Sequence, residues 1–523
     1  MILAEPGRDD KVSGKGSRRF GGDIIANDTG SNDQMHETDV VIVGCGPVGT
    51  MLANLLGLQG ISTLVLEREA AIYNLPRAVH FDDEVMRLVQ TVGLAETVQP
   101  LVHLSPGMKF VDDTGRLLLD WSRPLERGPQ GWYASYRFHQ PELERVLREG
   151  LVRWPSVSLK LRTEVFALEQ EPDAVVVRYE DLSTGGLVNC RARYVVGCDG
   201  ARSLVRRLIG AAMEDLGFHE RWLVLDAILR RPCSHLGEYS VQHCSRTRPA
   251  TYVRGTGNRR RWEIAVLPGE DEATITQPAK VLELLSPWVE PEDVELERVA
   301  VYTFHSAIAP RWRSGRLLVA GDSAHLTPPF LGQGMCAGMR DAGNLAWKLG
   351  RVLRGRNDDG LLNTYQTERA PHVREYVELA VRLGGLINTK AMEAALPDSV
   401  LEGGEAARMT SIKPRLGPGV ADGWNGLAGQ LARQPVLADG TRLDDRVGYR
   451  FAALVQPDFA ADLPADTLGR LVEREVVVVA DNAPGLQTWL QAADASAILV
   501  RPDHYVLGAV HSLQELDALV AAI

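Results

Sequence analysis

The stretch DVVIVGCGPVG, residues 39–49, decides the fold of this 523-residue chain. Its first five residues form a short apolar run rich in β-branched side chains, which is typical of a buried strand. Glycines at 44, 46 and 49 then follow in the spacing GxGxxG. Gly44 permits a tight turn, Gly46 lets the backbone approach a pyrophosphate, and Gly49 lets the next helix pack on the sheet. The stretch therefore predicts a dinucleotide-binding turn between a strand and a helix.

The residues that follow extend this unit. The apolar segment 48–58 predicts a helix, and a second strand, STLVLE, ends at Glu67. A strand, a helix and a strand over about thirty residues form a parallel βαβ crossover. An acidic residue at the end of the second strand is placed to accept hydrogen bonds from a ribose diol. We therefore expect Glu67 in the binding site.

Charge and cysteine content exclude several classes of protein. The net charge of −11, with no large cluster of cations, argues against nucleic acid as a partner. No apolar run reaches the roughly 18 residues that a membrane-spanning helix needs, so we expect no membrane association. The six cysteines form no CxxC pair and no cluster with zinc spacing. This pattern predicts reduced cysteines, a cytoplasmic location and no metal site.

Changes in periodicity and composition divide the chain into domains. Alternating apolar and polar residues over 219–303 predict a mostly antiparallel sheet. Glycine and proline crowd the region from 397 to 419, which is typical of a linker. The predicted parts are a flexible leader over 1–35, a discontinuous nucleotide-binding domain over 36–215 and 300–395, a β-sheet domain over 216–299, a linker over 396–435, and a small α/β domain over 436–523.

Two later turns also carry glycine and an acidic residue at the end of a strand. The first is VGCDGARSLVR, residues 196–206, which contains Asp199. The second is LVAGDSAHLTPPFLGQG, residues 318–334, which contains Gly321 and Asp322. The alternative interpretation of each aspartate is a plain helix N-cap. Three such turns are more than a simple nicotinamide-dependent dehydrogenase needs.

Together the three turns resemble the signatures GxGxxG, DGxxSxVR and GDAAHxxxPxxGQG of flavoprotein aromatic monooxygenases with the p-hydroxybenzoate hydroxylase fold. The order is the same, and Ser323 stands where alanine is usual. The resemblance covers about residues 38–385. It implies an α/β chain with a Rossmann-like FAD-binding domain, a mostly antiparallel β-sheet substrate domain, and a small thioredoxin-like α/β C-terminal domain without redox cysteines.

Within that family the chain is most similar to the 3-(3-hydroxyphenyl)propanoate hydroxylase group. The similarity rests on PRA at 76–78, DDE at 82–84 and MRDAGNLAWKL at 339–349. It implies that a small phenolic substrate is hydroxylated with FAD, NADH or NADPH, and O2, through a flavin C4a-hydroperoxide. A polycyclic or heteroaromatic natural product is the alternative substrate, and a non-catalytic flavin-binding sensor is the alternative of another class. The C-terminal domain is interpreted as a packing or dimerisation module, which leaves a homodimer open.

The resemblance also implies roles for individual residues. Arg77 and Gln140 match positions that contact FAD, and Asp322 is placed to accept a hydrogen bond from a ribityl hydroxyl. The loop 328–334 and the helix after it can stabilise negative charge on the reduced flavin through backbone N–H groups. The residues expected to bind the cofactor, besides the first three glycines and Glu67, are Arg77, Gln140, Asp199, Gly321, Asp322 and Gly334. Pro328 and Gly332 of the loop are expected to be catalytic.

The phenol needs a residue that handles its proton. Ionising a phenol of pKa about 10 at pH 7 costs roughly 4 kcal/mol. We expect His80 to relay that proton, because an ordinary imidazole titrates near neutral pH, and a packing histidine is the alternative. The residues expected to line the substrate pocket are Tyr239, Gln242, Tyr252 and Arg248. Strand alternation puts Tyr239 and Gln242 on opposite faces, so not all of them line it, and a solvated sheet edge explains Arg248 equally well.

Overall fold

The computed structural model describes residues 36–389, 401–402, 407–420, 423 and 426–523. The leader predicted over 1–35 lies outside the described residues. The strands, in chain order, are β1 His36–Val43, β2 Thr63–Glu67, β3 His80–Asp82, β4 His103–Leu104, β5 Gly107–Val111, β6 Leu117–Ser122, β7 Ser135–Arg137, β8 Val157–Leu161, β9 Thr163–Gln170, β10 Val175–Asp181, β11 Gly186–Gly197, β12 Glu214–Leu229, β13 Ser240–His243, β14 Ala250–Arg254, β15 Arg259–Ala265, β16 Val294–Ile308, β17 Arg313–Ser314, β18 Leu317–Val319, β19 His325–Leu326, β20 Leu401–Glu402, β21 Ala407–Met409, β22 Phe451–Val455, β23 Val476–Ala480, β24 Ala497–Val500 and β25 Val506–Val510.

The α-helices, in chain order, are α1 Pro47–Leu58, α2 Asp83–Thr91, α3 Ala95–Val98, α4 Gln140–Gly150, α5 Leu204–Ile209, α6 Glu272–Ile275, α7 Pro278–Leu285, α8 Gly334–Leu353, α9 Asn363–Thr389, α10 Leu443–Val447, α11 Pro457–Ala461, α12 Ala465–Glu473, α13 Pro484–Ala492 and α14 Leu513–Ala521. Within the described residues, no helix is both long and apolar enough to cross a membrane.

The first sheet is built on the predicted strand–helix–strand unit. Its main strand order is β17-β18-β11-β1-β2-β8, and β10 and β9 extend it beside β11. The central strand β1 pairs in parallel with β2 and β11, so that Val41 lies opposite Leu64 and Val195. The middle of β1 is apolar on both faces, as expected for a parallel strand that is covered on both sides.

Close backbone contacts fix the turn between β1 and α1. A Cβ at Gly49 would lie 2.1 Å from the carbonyl oxygen of Gly44, so only glycine lets α1 pack on this turn. Gly44 has a φ of +99°, and a Cβ there would lie 2.5 Å from the carbonyl oxygen of Cys198. The first turn is therefore locked against the turn that follows β11.

The second sheet is larger than the sequence predicted. Its order is β19-β16-β12-β15-β14-β13-β5-β6-β21-β20, and most pairs are antiparallel. Strands β5 and β6, at 107–122, join it through a parallel pairing of β5 with β13. Residues 407–409, from the predicted linker over 396–435, join it through β6. The predicted bounds of 216–299 came from local alternation, which does not reveal pairing between distant segments.

A third sheet forms the C-terminal domain. Its order is β23-β22-β24-β25, with β22 parallel to β23 and antiparallel to β24. The helices α12, α13 and α14 follow β22, β23 and β25, respectively. Strand β22 is buried throughout, because it has a neighbour on each side and packed side chains on both faces.

The C-terminal domain contacts α8 and α9 through a buried cluster of charges. Glu368 on α9 accepts hydrogen bonds from Arg501 at 2.8 and 2.9 Å and from Lys348 at 2.6 Å. Burial lowers the pKa of Lys348 to about 8. Burial alone would raise the pKa of Glu368, but the charges of Arg501 and Lys348 hold it well below its usual range. Removal of one partner would leave uncompensated charge in the interior.

We expect Arg501→Met to lower the free energy of unfolding by about 3–5 kcal/mol, because it strands the buried carboxylates of Glu368 and Asp503. Denaturant titration measures the loss. The control is Arg178→Met, which breaks an exposed ion pair with Glu169 and should cost about 0–1 kcal/mol. Equal losses in the two variants would contradict a structural role for the buried cluster.

Candidate functional site

A cavity of about 410 Å³ lies where the first and second sheets meet. Its first wall comes from the turns that follow β1, β11 and β18, which all leave the same edge of the parallel sheet. Its second wall comes from one face of the second sheet, and the loop 329–335 closes it. Ligands of open α/β sheets bind at the carboxyl ends of the strands, so this cavity is the candidate site.

The first turn leaves room for a phosphate group. A Cβ at Gly46 would have no atom within 4 Å, in contrast to the crowded Gly44 and Gly49. Gly46 lines the cavity and precedes the N-terminus of α1, whose free N–H groups favour an anion. Glu67 accepts a hydrogen bond from the backbone N–H of Cys45 at 2.6 Å, so it also holds the turn in shape. This open cradle fits the pyrophosphate of a dinucleotide.

The two aspartates of the later turns have different surroundings. Asp199 accepts hydrogen bonds from the backbone N–H of Leu204 at 2.7 Å and from the hydroxyl of Ser203, the N-cap residue of α5, at 2.5 Å. Ser323, the departure from the family pattern, donates to Asp199 at 3.0 Å and joins the two turns. Asp322 lines the cavity, and its side chain is open to the cleft. The surrounding protein atoms raise its pKa, and the charges of His325 and Arg77 oppose that rise.

A buried carboxylate that the sequence analysis missed fixes the third turn. Asp341 on α8 accepts hydrogen bonds from the backbone N–H of Gly321 at 3.0 Å and from His325 Nε2 at 2.6 Å. Arg369 donates to its second oxygen at 2.9 Å. No local signal in the sequence marks Asp341, because its partners come from α9 and from the turn after β18.

The loop 328–334 lies against His80. Gly332 has a φ of +63°, and its carbonyl oxygen lies 3.4 Å from His80 Nδ1. Pro329 and Gly332 line the cavity, whereas Pro328 is outside the lining. Gly334 begins α8, and a Cβ there would have no atom within 4 Å. The loop therefore presents backbone at its glycines and apolar side chains at Phe330 and Leu331 to the cavity.

The electrostatic state of His80 differs from the sequence-based expectation. Burial and the nearby charge of Arg123 lower the pKa of His80 to about 4, although Asp82 acts in the opposite direction. The ring is therefore neutral at pH 7. The sequence analysis expected it to titrate near neutral pH, and the lowered pKa differs from that expectation. Since a carbonyl oxygen only accepts, Nδ1 carries the proton that faces Gly332, and Nε2 keeps its lone pair.

The segment 76–78 is held from both sides. The side-chain oxygen of Gln140 accepts from the backbone N–H groups of Arg77 and Ala78 at 2.9 and 2.6 Å. Arg261 donates to the carbonyl oxygens of Pro76 and Arg77 at 2.5 and 2.9 Å. These contacts place Arg77 at the cavity and use Gln140 to position the loop.

Alternate residues of three neighbouring strands form the second wall. The lining residues of β13, β14 and β15 are Ser240, Gln242, Thr251, Val253, Arg261 and Glu263. Gln242 accepts from the hydroxyl of Thr251 at 2.6 Å and donates to the carbonyl oxygen of Ala250 at 3.1 Å. This alternation gives the wall a polar character.

The other residues expected at the substrate lie outside this lining. Tyr252 packs on Trp262 on the opposite face of the sheet, with ring centroids 5.7 Å apart. Tyr239 lies under the ammonium group of Lys109, at 4.4 Å from the ring centre. Arg248 forms an ion pair with Glu270 at 2.6 Å. None of these three contributes to the cavity wall.

Two charged residues in the wall were missed. Glu263 is buried, its pKa is raised by burial, and Arg261 lies 3.8 Å away. Arg123 follows β6 and places its guanidinium 4.0 Å from the centre of the Trp121 ring. Burial lowers the pKa of Arg123 to about 10, so it stays cationic at neutral pH. Alternation along β15 places Glu263 on the same face as Arg261 and could have predicted its position in the wall. No local pattern in the sequence marks Arg123.

We expect the imidazole of His80 to titrate near pH 4 and to stay neutral from pH 6 to 8. Because its folded pKa lies below the ordinary value of about 6.5, His80 destabilises the fold as the pH falls from 6.5 to 4, by up to about 3 kcal/mol. Histidine-labelled NMR, assigned with a His80→Gln variant, measures the titration. That variant should lose this part of the pH dependence of unfolding. A midpoint near 6.5 would contradict the neutral ring.

Family models and curated relatives match nearly all of the described chain. A model described as FAD binding domain matches residues 37–380, and one described as HcaD C-terminal domain matches 437–523. A probable NADH-specific resorcinol 4-hydroxylase of Rhodococcus jostii is 37% identical over 502 residues, covering 92% of this chain and 93% of the relative. A 3-(3-hydroxy-phenyl)propionate/3-hydroxycinnamic acid hydroxylase of Burkholderia vietnamiensis is 36% identical over 527 residues, covering 91% and 94%.

Solved structures share the fold. The flavin-dependent monooxygenase PieE, in complex with FAD and substrate, has a TM-score of 0.79 at 23% identity, over 93% of this chain and 98% of that one. The anhydrotetracycline hydroxylase OxyS from Streptomyces rimosus has a TM-score of 0.74 at 26% identity, over 93% and 98%. The resemblance inferred from the three turns is confirmed: the chain belongs to the FAD binding domain family and is a flavoprotein aromatic monooxygenase.

Proposed function

We propose that this enzyme hydroxylates a one-ring phenol that carries an anionic side chain, of the 3-(3-hydroxyphenyl)propanoate class, with NADH or NADPH as electron donor. The observation that carries this proposal is Arg123. Its guanidinium lines the cavity and forms no ion pair with any of the described residues. Arg123 is half-buried, and Asp82 and Asp83 offset part of its charge from beyond ion-pair distance. A cation in such a cleft is favourably placed to bind a ligand that supplies negative charge.

The other cations that line the cavity are either paired with protein groups or lie on the nucleotide side. Arg261 is paired with Asp226 at 2.7 Å and also binds the carbonyl oxygens of the loop 76–77. Arg137 donates to the carbonyl oxygen of Glu238. Arg77 lies on the nucleotide side and stacks over the ring of Tyr73 at 5.3 Å. Arg123 is therefore the cation that can bind a substrate carboxylate.

The size and lining of the cavity favour a small substrate. The same 410 Å³ must admit the flavin ring edge as well as the substrate, which leaves less room for a polycyclic ring system. Apolar side chains, among them Met108, Phe110 and Phe304, line the part beside the polar wall. Such a lining suits an aromatic ring and keeps water away from the reacting atoms.

When bound, FAD supplies the redox chemistry that takes electrons from the nicotinamide cofactor and activates O2. The chain's own residues position the reactants. Backbone N–H groups of the loop 328–334 and the N-terminus of α8 stabilise negative charge beside Gly332 and Gly334. The neutral ring of His80 can accept the phenol proton as a hydrogen bond at Nε2. Glu263, whose pKa burial raises, is a second group that can hold a proton in the wall.

The cofactor site that we propose contains Gly46, Arg77, Gln140, Asp322 and Gly334, with Glu67 and Asp199 as supports of the turns.

We further propose that the C-terminal domain is thioredoxin-like, because its strand order places two parallel strands beside two antiparallel ones. A cytoplasmic location and a homodimer remain proposals that rest on the sequence.

We expect 3-(3-hydroxyphenyl)propanoate to stimulate NADH or NADPH oxidation in air and to give a product that is one oxygen atom heavier. Oxidation rates and product mass would be compared for this compound, resorcinol and an anthraquinone phenol. If only resorcinol were hydroxylated, the proposal that the substrate carries an anionic side chain would be wrong. Turnover of the polycyclic compound alone would favour the natural-product alternative, and flavin binding without stimulation by any of the three would favour a sensor.

We expect Arg123→Met to raise KM for 3-(3-hydroxyphenyl)propanoate by about ten-fold to a hundred-fold, because a hydrogen bond to a charged group contributes about 1.5–3 kcal/mol. KM for an uncharged phenol should change less than about two-fold. The matched control is Arg116→Met, which removes an exposed arginine from the same hairpin. Equal changes for charged and uncharged phenols would contradict the role of Arg123 as an anchor.

A further inference from the structure

A chain of buried hydrogen bonds connects the loop 328–334 with the C-terminal domain. Gln333 donates to Asp82 at 3.2 Å and accepts from Arg340 at 2.9 Å. Arg340 also donates from Nε to Glu84 at 2.5 Å. The second carboxylate oxygen of Glu84 accepts from the hydroxyl of Tyr505 at 2.7 Å, and Tyr505 directly precedes β25 of the C-terminal sheet.

Chemistry fixes the direction of each link. The carboxylate of Glu84 is paired with Arg340 and only accepts, so the hydroxyl proton of Tyr505 points to it. The oxygen of Tyr505 then accepts from Nε2–H of His372 at 3.1 Å. Burial holds the pKa of His372 well below its usual value, so this ring is neutral. Loss of the one hydroxyl would leave a buried acceptor and a buried donor without partners.

These hydrogen-bonded residues lie next to the main cavity, on the side of the C-terminal domain. Gln333, Glu84, Arg340 and Tyr505 are all buried. They line a second cavity of about 70 Å³, which shares His80 and Arg123 with the main cavity. Tyr505 of the C-terminal domain therefore lies at a cavity that is bordered by His80 and Arg123, and these two residues also line the main cavity.

We propose that Tyr505 is a positioning residue of the active site, and that through Glu84, Arg340 and Gln333 it holds the loop 328–334 in place beside the flavin. The C-terminal domain thus completes the site without touching cofactor or substrate. This role does not depend on which phenol is the substrate, since it concerns the backbone of the loop.

Hydrogen exchange in the full-length holoenzyme tests the role without any substrate. In Tyr505→Phe we expect the amides of residues 331–333 to exchange at least ten-fold faster than in the wild type. Peptides that cover the first turn, residues 39–50, should exchange as before. The matched control is Tyr449→Phe, which removes another hydroxyl buried against α8, where it donates to the carbonyl oxygen of Gly343 at 2.5 Å. Among the described residues, no chain of side-chain hydrogen bonds connects Tyr449 with Gln333, so the loop should keep its exchange rate.

A second variant keeps the test decisive if Tyr505→Phe does not fold. Glu84→Gln breaks the chain one step closer to the loop and should accelerate the same amides. In either variant the fraction of oxidised NADH that yields hydroxylated product should fall at least three-fold at an unchanged FAD content. Wild-type exchange of residues 331–333 in both variants would overturn the proposal. Equal acceleration in Tyr449→Phe would also overturn it, because that result would indicate general loosening of the domain contact.

Discussion

The site depends on the way two arginines of the second sheet hold the backbone of the first domain. Arg261 and Arg298 both donate to the carbonyl oxygen of Pro76, at 2.5 and 2.8 Å. Asp226, on the neighbouring strand β12, forms ion pairs with both guanidinium groups and offsets their charge. Because buried charges are stable only when they are paired, the two sheets meet in one arrangement. The cavity is the space that this arrangement leaves.

Burial sets the electrostatics of that space. His80 is neutral because desolvation outweighs the attraction of Asp82. Arg123 remains a cation because an arginine whose pKa is lowered to about 10 is still protonated at pH 7. The wall therefore offers a neutral acceptor close to a cation. This combination suits a phenol with an anionic side chain, since the proton and the charge are handled by different groups.

Buried polar networks, rather than apolar contacts alone, join the C-terminal domain to the flavin domain. At one contact between the domains, Glu368 forms ion pairs with Arg501 and Lys348. At a second contact, Arg87 forms an ion pair with Asp444. Tyr505 and Glu84 form the third contact, nearest the loop 328–334. Such networks have directional geometry, so they fix the position of the domain more narrowly than an apolar contact would. Through this third contact the C-terminal domain is connected to the loop 328–334.

The sequence by itself determined the nucleotide-binding half of the protein. The glycines at 44 and 49 allow backbone contacts that a Cβ would block, and Gly46 between them leaves open space for a ligand, so their spacing specifies the turn, the helix and the binding edge. Alternation in the sequence put Tyr239 and Gln242 on opposite faces, and in the structure Gln242 lines the cavity whereas Tyr239 does not. Tertiary structure alone decided the width of the second sheet, the neutral state of His80, and the place of Arg123 and Tyr505. Each of these depends on partners distant along the chain, and pairing and desolvation act through space, where local periodicity carries no information.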